Sequence, residues 1–337
     1  MKNNFLRGFA SGGEQTSGFF KLQKICTEKK LIFRHRPRVI IILGQTATGK
    51  SNLAVKIAKK IKGEIISADS RQIYKGLDIG TGKITPNERV LRTGRAKKEY
   101  VFTHKNIPHY LIDVANPKYK FTVAEYQKQA ISAMADIVKR GKTPIVCGGT
   151  GFYIDAITKG TIFPEVPPNE KLRKTLYSKS AIALFEYLKK IDPERAKTID
   201  AKNKVRLVRA IEIAKALGKI PPLRQDLRGK YKFIKIGLYL PADKLQKKVE
   251  KRVKQMFKDG LLNEIKKLKR LARLGGAGVS DKRLKEFGFE YDNPTPEKVI
   301  KETIKYAKRQ MTWFKRDPKI KWIDASKKVS IKNLIGS

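Results

Sequence analysis

The apolar positions of this chain fall into short β-branched runs alternating with longer stretches of helical spacing. Arg38 to Leu43 reads RVIIIL, too short for a buried helix and rich in branched side chains, so a strand is expected there. GQTATGKS follows as a loop, and NLAVKIAKKI then carries apolar positions at helical spacing. The strand signal returns at Glu64 to Ala68 (EIISA), at His109 to Val114 (HYLIDV) and at Thr143 to Cys147 (TPIVC), and the helical stretch VAEYQKQAISAMADIVKR precedes the last. Strands alternating with helices imply an α/β fold, a parallel sheet flanked by helices.

After Thr161 the texture changes. IFPEVPP is a proline-broken linker, and helical patterns alone follow through Gly218. KFIKIGLYL, from Lys232 to Leu240, then reads as a strand returning to the sheet and ended by Pro241. The expected organisation is a loose extension at 1–37, an α/β core at 38–162, an all-helical insertion at 163–228 and a return to the core at 229–337. The return is written mostly as helix: ADKLQKKVEKRVKQMFKDGLLNEIKKLKRLARL, a break at Gly275 to Gly278, then PEKVIKETIKYAKRQMTWFKR. Within the insertion, KVRLVRAIEIAKALGK sets Val205, Val208, Ile211 and Leu217 on one helical face, with Arg206, Arg209 and Lys215 off it.

Charge adds a partner to this picture. The 337 residues hold 76 Lys and Arg against 31 Asp and Glu, a net charge of +45 spread along the whole chain. A polyanion, nucleic acid above all, is the natural complement; a solvated lysine-rich surface is the plainer alternative. Two cysteines, Cys26 and Cys147, exclude a disulfide framework or a zinc cluster and fit a reducing cytoplasm. No apolar run approaches the ~20 residues that cross a bilayer, and no secretory signal opens the chain, so a soluble protein with no membrane partner is expected. His35, His104 and His109 are too dispersed for a metal site.

The loop after the first strand carries chemistry. Gly44, Gln45, Thr46, Ala47, Thr48, Gly49, Lys50 and Ser51 match the P-loop pattern G-x-x-x-x-G-K-S/T, between a buried strand and a helix as the mechanism requires. Backbone N–H groups, the helix N-terminus and Lys50 together hold two linked phosphoryl groups, and the Ser51 hydroxyl suits Mg²⁺. Most such loops bind a nucleoside triphosphate, so ATP binding is the first reading of the motif alone. No second strand ends in the acidic pair of an ATPase; Asp69 and Asp113 come nearest.

In an open α/β sheet, ligands sit beyond the carboxyl ends of the strands. That rule selects Asp69, Ser70, Arg71 and Gln72 after EIISA, and Gly148 to Gly151 with Thr150 after TPIVC, on the same side as Gly44. A carboxylate there can act as a general base and a hydroxyl can bind a phosphate oxygen, although an aspartate at such a position also commonly caps a turn.

Taken in order, GQTATGKS, SADSRQIYKGLDIGTGK, CGGTGFYIDAI, VRLVRAIEI and YAKRQMTWFKR resemble the tRNA dimethylallyltransferase (tRNA isopentenyltransferase) family of bacterial type, over roughly residues 38 to 325. DSRQIYKGLDIGTGK is the most specific piece. The resemblance implies a P-loop NTPase-like fold, dimethylallyl diphosphate as donor, and N6 of adenosine 37, beside the anticodon of a tRNA, as acceptor, with release of pyrophosphate. It implies Asp69 as the base that takes the N6 proton, Thr150 and Arg252 on the diphosphate, and Ser51 on Mg²⁺. Residues Asp69 to Gln72, Thr150, Arg173, and Val205, Arg206, Leu207, Val208 and Arg209 align with segments that touch the anticodon stem-loop. A cytoplasmic monomer is expected. Gln45 stands where many members have proline, and KEFGFEY matches the family's G-Y-K-E-like segment loosely. Two rivals remain at this point: a P-loop kinase, and a basic RNA-binding protein with a vestigial loop.

Overall fold

The computed structural model describes residues 36–84, 88–93, 98–161, 163–218, 227–273, 278–327 and 330–335. The expected extension, up to residue 35, and most of the glycine-rich break, 274–277, lie outside them.

Eight strands form one sheet: β1 (Arg38–Gly44), β2 (Gly63–Ser67), β3 (Glu88–Thr93), β4 (Lys98–His104), β5 (Ile107–Tyr110), β6 (Thr143–Cys147), β7 (Lys232–Tyr239) and β8 (Lys321–Asp324). Their order is β3-β4-β5-β2-β6-β1-β7-β8. From β5 to β8 all pairings are parallel, and only the β3–β4–β5 meander is antiparallel. All five expected strands are present. β5 stops at Tyr110 instead of reaching Val114, because Leu111 and Asp113 turn to φ of 60° and 56°, out of the extended region. The β3–β4 hairpin and β8 are additional; ERVLRT and KWID mix charged and apolar residues over too few positions to signal a strand.

The RVIIIL run is β-branched because β1 is central and buried on both faces. Val39, Ile41 and Leu43 enter one core with Ile66, Tyr126, Met134 and Ile154, while Ile40 and Ile42 enter another with Leu53, Ala54 and Ile57 of α1 (Lys50–Ile61). Covering the first face are α2 (Val123–Lys139), started by a Thr122/Glu125 capping box, and α3 (Gly151–Thr158).

Helices α4 (Glu170–Tyr177), α5 (Ala181–Ile191), α6 (Pro193–Thr198) and α7 (Lys204–Leu217) enclose a small core of their own, built on Leu176, Leu184, Leu188, Leu207 and Ile211. The face expected for α7 is corrected here. Val205 is 63% exposed and Leu217 51%, whereas Leu207, Val208, Ile211 and Glu212 are buried. Leu207, Val208, Ala210 and Ile211 pack into the core of the unit, and beside them Glu212 accepts hydrogen bonds from Asn169 N at 2.6 Å and Arg173 Nε at 3.0 Å and pairs with Arg209, which satisfies the carboxylate on the buried side.

Beyond β7, the stretch written as one long helix is two, α8 (Ala242–Lys258) and α9 (Leu261–Arg273), separated by Gly260 at φ 96°. α10 (Asp281–Phe287), α11 (Pro296–Phe314) and α12 (Lys332–Ile335) complete the fold. α8 and α11 pack through Val249, Val253, Val299 and Ala307, which carries the polar residues of both helices to the carboxyl end of the sheet. Among the described residues, no helix is long and apolar enough to cross a membrane.

Candidate functional site

Beyond the carboxyl ends of β1, β2 and β6 lies a cavity of about 310 Å³. Its first wall is the loop Gly44–Ser51, which leaves β1 tightly. A Cβ on Gly44, at φ 125°, would stand 2.1 Å from Leu238 O of the neighbouring strand, so only glycine fits. Gln45 N donates to Leu238 O at 3.2 Å, Gln45 Oε1 accepts Leu240 N at 3.0 Å, and Thr48 Oγ1 donates to Gln45 O at 2.8 Å. Gly44, Gln45 and Thr48 thus shape the loop from behind, while Thr46, Ala47, Gly49, Lys50 and Ser51 face the cavity. Lys50 Nζ donates to Gln45 O at 2.6 Å. Burial lowers its ammonium to about 8, against the opposing pull of Cys147 and Asp69. Burial pushes the Cys147 thiol up to about 12, with Lys50 and Ser51 working the other way.

The second wall is the segment after β2. Asp69 Oδ1 accepts Arg71 N at 2.9 Å and Gln72 N at 3.3 Å, so this carboxylate does cap its own turn, and it lines the cavity as well. Arg71 and Gln72 line the cavity; Ser70 and Thr150 stand behind it, Ser70 N donating to Thr150 Oγ1 at 3.0 Å. The resemblance places Thr150 on the diphosphate; in this structure its hydroxyl joins the ends of β2 and β6 through Ser70.

Arg252 enters from α8. Nη1 donates to Thr46 Oγ1 at 3.0 Å and Nη2 to Thr81 O at 3.1 Å, so the guanidinium bridges the phosphate loop and the DIGTGK segment. Burial lowers its affinity for the proton, Arg71 adds repulsion, and Glu290 and Asp69 offset part of it. A Cβ on Gly82, at φ 59°, would stand 2.2 Å from Arg252 Nη2, which explains the second glycine of DIGTGK. That segment is fastened from α9: Glu264 accepts Asp78 N at 3.0 Å, Ile79 N at 2.7 Å and Gly80 N at 3.2 Å, and Tyr291 Oη donates to it at 2.8 Å. Asp113, the other acidic candidate, is paired with Lys83.

Four further groups complete the walls, none of them singled out from the sequence. Thr303, Tyr306 and Gln310 project from one side of α11, and Glu290 sits in the turn before it. The 303/306/310 spacing is a legible signal, polar positions on the face of a helix that otherwise packs. Glu290, 5% exposed, pairs with Arg71, whose guanidinium lies 5.8 Å from the Phe289 ring centroid and 5.5 Å from that of Tyr306. Burial raises the Glu290 carboxyl, opposed by Arg71.

The remaining residues proposed for RNA contact, Arg173 and Val205 to Arg209, lie in the helical unit outside this cavity. Leu207 and Val208, 0% and 1% exposed, present no side chain to a partner in this structure; both are core residues of the unit. Arg173 and Arg209 hold Glu212. Val205 is exposed.

The arrangement can grip a diphosphate with loop N–H groups and two cations, and set a carboxylate beside it. Comparison with known proteins gives this chemistry a context. Residues 72–317 match the family model described as IPP transferase. The tRNA dimethylallyltransferase of Halothermothrix orenii is 39% identical over 313 residues, covering 88% of this chain and 90% of that protein. That of Anoxybacillus flavithermus is 37% identical, covering 85% and 90%. The crystal structure of the tRNA isopentenylpyrophosphate transferase of Bacillus halodurans superposes with a TM-score of 0.57 at 32% identity over 88% of this chain and 92% of that one. A eukaryotic dimethylallyltransferase acting on tRNA superposes at 0.66 with 25% identity, covering 86% and 74%.

Proposed function

Since this chain belongs to the IPP transferase family, we propose that it transfers a dimethylallyl group from dimethylallyl diphosphate to N6 of adenosine 37, next to the anticodon of tRNA, and releases pyrophosphate. The observation that carries the reading is the convergence of the phosphate loop, Arg252 and Asp69 on one cavity. An adenine amino group is a poor nucleophile, its lone pair delocalised into the ring, whereas an allylic diphosphate ionises once its leaving group is stabilised.

The reaction divides between the two ends of the cavity. At the donor end, the loop N–H groups, Lys50 and Arg252 take up the charge of the departing pyrophosphate as the allylic C–O bond breaks and its electron pair leaves with oxygen. At the acceptor end, the N6 lone pair forms the new C–N bond and Asp69 receives the N6 proton. Thr150 serves this site by holding Ser70 and, with it, the Asp69 turn.

A magnesium ion fits the donor set. Among the described residues no cluster of three His, Cys, Asp or Glu could hold a metal by itself. Ser51, which lines the cavity, would offer its hydroxyl to the ion, with phosphate oxygens and water completing the set. When bound it would neutralise diphosphate charge.

The adenine must leave the anticodon-loop stack to reach Asp69, so base flipping accompanies binding. The helical unit, with Arg206 and the exposed Val205 on α7, is the part of the chain set to grip the stem-loop, in the cytoplasm where tRNA is modified.

The test is direct: purified protein, dimethylallyl diphosphate, Mg²⁺ and unmodified tRNA, followed by digestion and mass analysis. Prenylated adenosine 3′ to the anticodon with stoichiometric pyrophosphate supports the reading; ATP consumption without five-carbon transfer points to a kinase and defeats it. Asp69→Ala is expected to lose about 10²-fold or more in turnover while donor binding survives.

A further inference from the structure

Glu290 and Arg71 form an ion pair at the acceptor end of the cavity that the reaction as described does not use. Arg71 belongs to the same turn as Asp69, and its backbone N–H already donates to Asp69 Oδ1 at 2.9 Å. Its guanidinium pairs with Glu290, flanked by the Phe289 and Tyr306 rings, while the Asp69 charge still acts on it. The backbone is shaped around the pair: at Gly288, φ 119°, a Cβ would lie 3.2 Å from Arg71 Nη1 and 3.4 Å from Glu290 Oε2.

Asp69 and Glu290 are the two acids among the residues lining this cavity, facing the cations Lys50, Arg71 and Arg252. A guanidinium withdrawn from water requires a carboxylate partner. We propose that Glu290 is a positioning residue that holds Arg71 against Phe289 and Tyr306 and thereby keeps its guanidinium off the Asp69 carboxylate. A carboxylate bridged by a guanidinium is a poor proton acceptor. The pair therefore keeps Asp69 available while leaving a guanidinium braced by aromatic rings in the wall beside it. This inference rests on Asp69 receiving the N6 proton.

The test measures initial rates at saturating tRNA and donor for Glu290→Gln, for Glu290→Gln combined with Arg71→Met, and for Asp69→Ala. Glu290→Gln keeps the size of the side chain and removes its charge. It is expected to lower kcat by about 10-fold or more with the donor KM within about 2-fold of the parent. Removing the guanidinium in the same chain is expected to recover most of that kcat while raising the KM for tRNA; a purely structural role predicts a double variant no better than the single. Normal kcat in Glu290→Gln, or no recovery in the double variant, overturns the proposal. If Asp69→Ala retains turnover, the base assignment itself has failed; if Asp69→Ala is inactive and Glu290→Gln is fully active, only the positioning role has.

Discussion

Gln310 Oε1 accepts the Thr46 backbone N–H at 2.8 Å, tying the C-terminal half of α11 to the phosphate loop 264 positions earlier in the chain. The same amide donates through Nε2 to Gly149 O at 2.9 Å, so one side chain spans the loops after β1 and β6. The phosphate loop is not held by its own sequence alone.

Gln310→Ala is therefore expected to loosen the donor end without touching the proton acceptor. Losing two buried hydrogen bonds should raise the donor KM by about 10-fold, on the order of 1.4 kcal/mol, with a smaller change in kcat. Steady-state kinetics with donor varied at saturating tRNA checks this; an unchanged donor KM would contradict it.

Glu264→Ala removes the carboxylate that receives the N–H groups of Asp78, Ile79 and Gly80. A loss of stability on the order of 3 kcal/mol is expected, from several hydrogen bonds to one charged group. Thermal unfolding reads that loss, and the donor KM should rise too, because Thr81 O, a partner of Arg252, belongs to the released segment.

Arg173→Ala leaves the buried Glu212 carboxylate with Arg209 as its remaining guanidinium partner. Destabilisation of the helical unit by about 2–4 kcal/mol is expected, in the range for breaking a buried pair. The double variant with Glu212→Gln should be less destabilised than the sum of the single effects, which calorimetry can show. Equal and additive losses would mean that the pair does not matter.

With a net charge of +45, tRNA binding should be strongly salt-dependent, weakening more than about 10-fold between roughly 50 and 200 mM salt. Filter binding across that range tests it, and a flat response would remove the electrostatic account of the partner.

His109 supplies a pH test of the fold. Burial lowers its imidazole from 6.5 to about 4, His104 adds to that, and the Ile107 carbonyl opposes it. Its Nε2 has no hydrogen-bond partner among the described residues. The unfolded chain then takes up a proton below 6.5 that the folded chain resists until about 4. Stability contributed above 6.5 is accordingly lost as pH falls through that window. His109→Phe should unfold with a Tm that changes less between neutral pH and pH 5 than the parent's.

The sequence by itself determined the parts whose signal is local. RVIIIL leading into GQTATGKS needs only its own β-branched run, glycines and helix start to declare a buried strand and an anion-binding turn, and five parallel strands follow from the same logic. Asp69 was legible from its place after the strand EIISA and Arg252 only through a resemblance in short motifs, and the tertiary structure brings both to the cavity wall. What only the tertiary structure decided depends on contacts between distant segments. Glu290 meets Arg71 across 219 positions and Gln310 meets Thr46 across 264, and no local periodicity encodes such pairings. The buried face of α7 went to Leu207, Val208, Ala210 and Ile211, with Glu212 paired to Arg173 of another helix, and left Val205 and Leu217 exposed, because the apolar positions of this helix allow more than one face and the packed neighbours choose between them. Strand and loop propensities act within a few residues; burial of charge is settled by whatever the fold brings alongside.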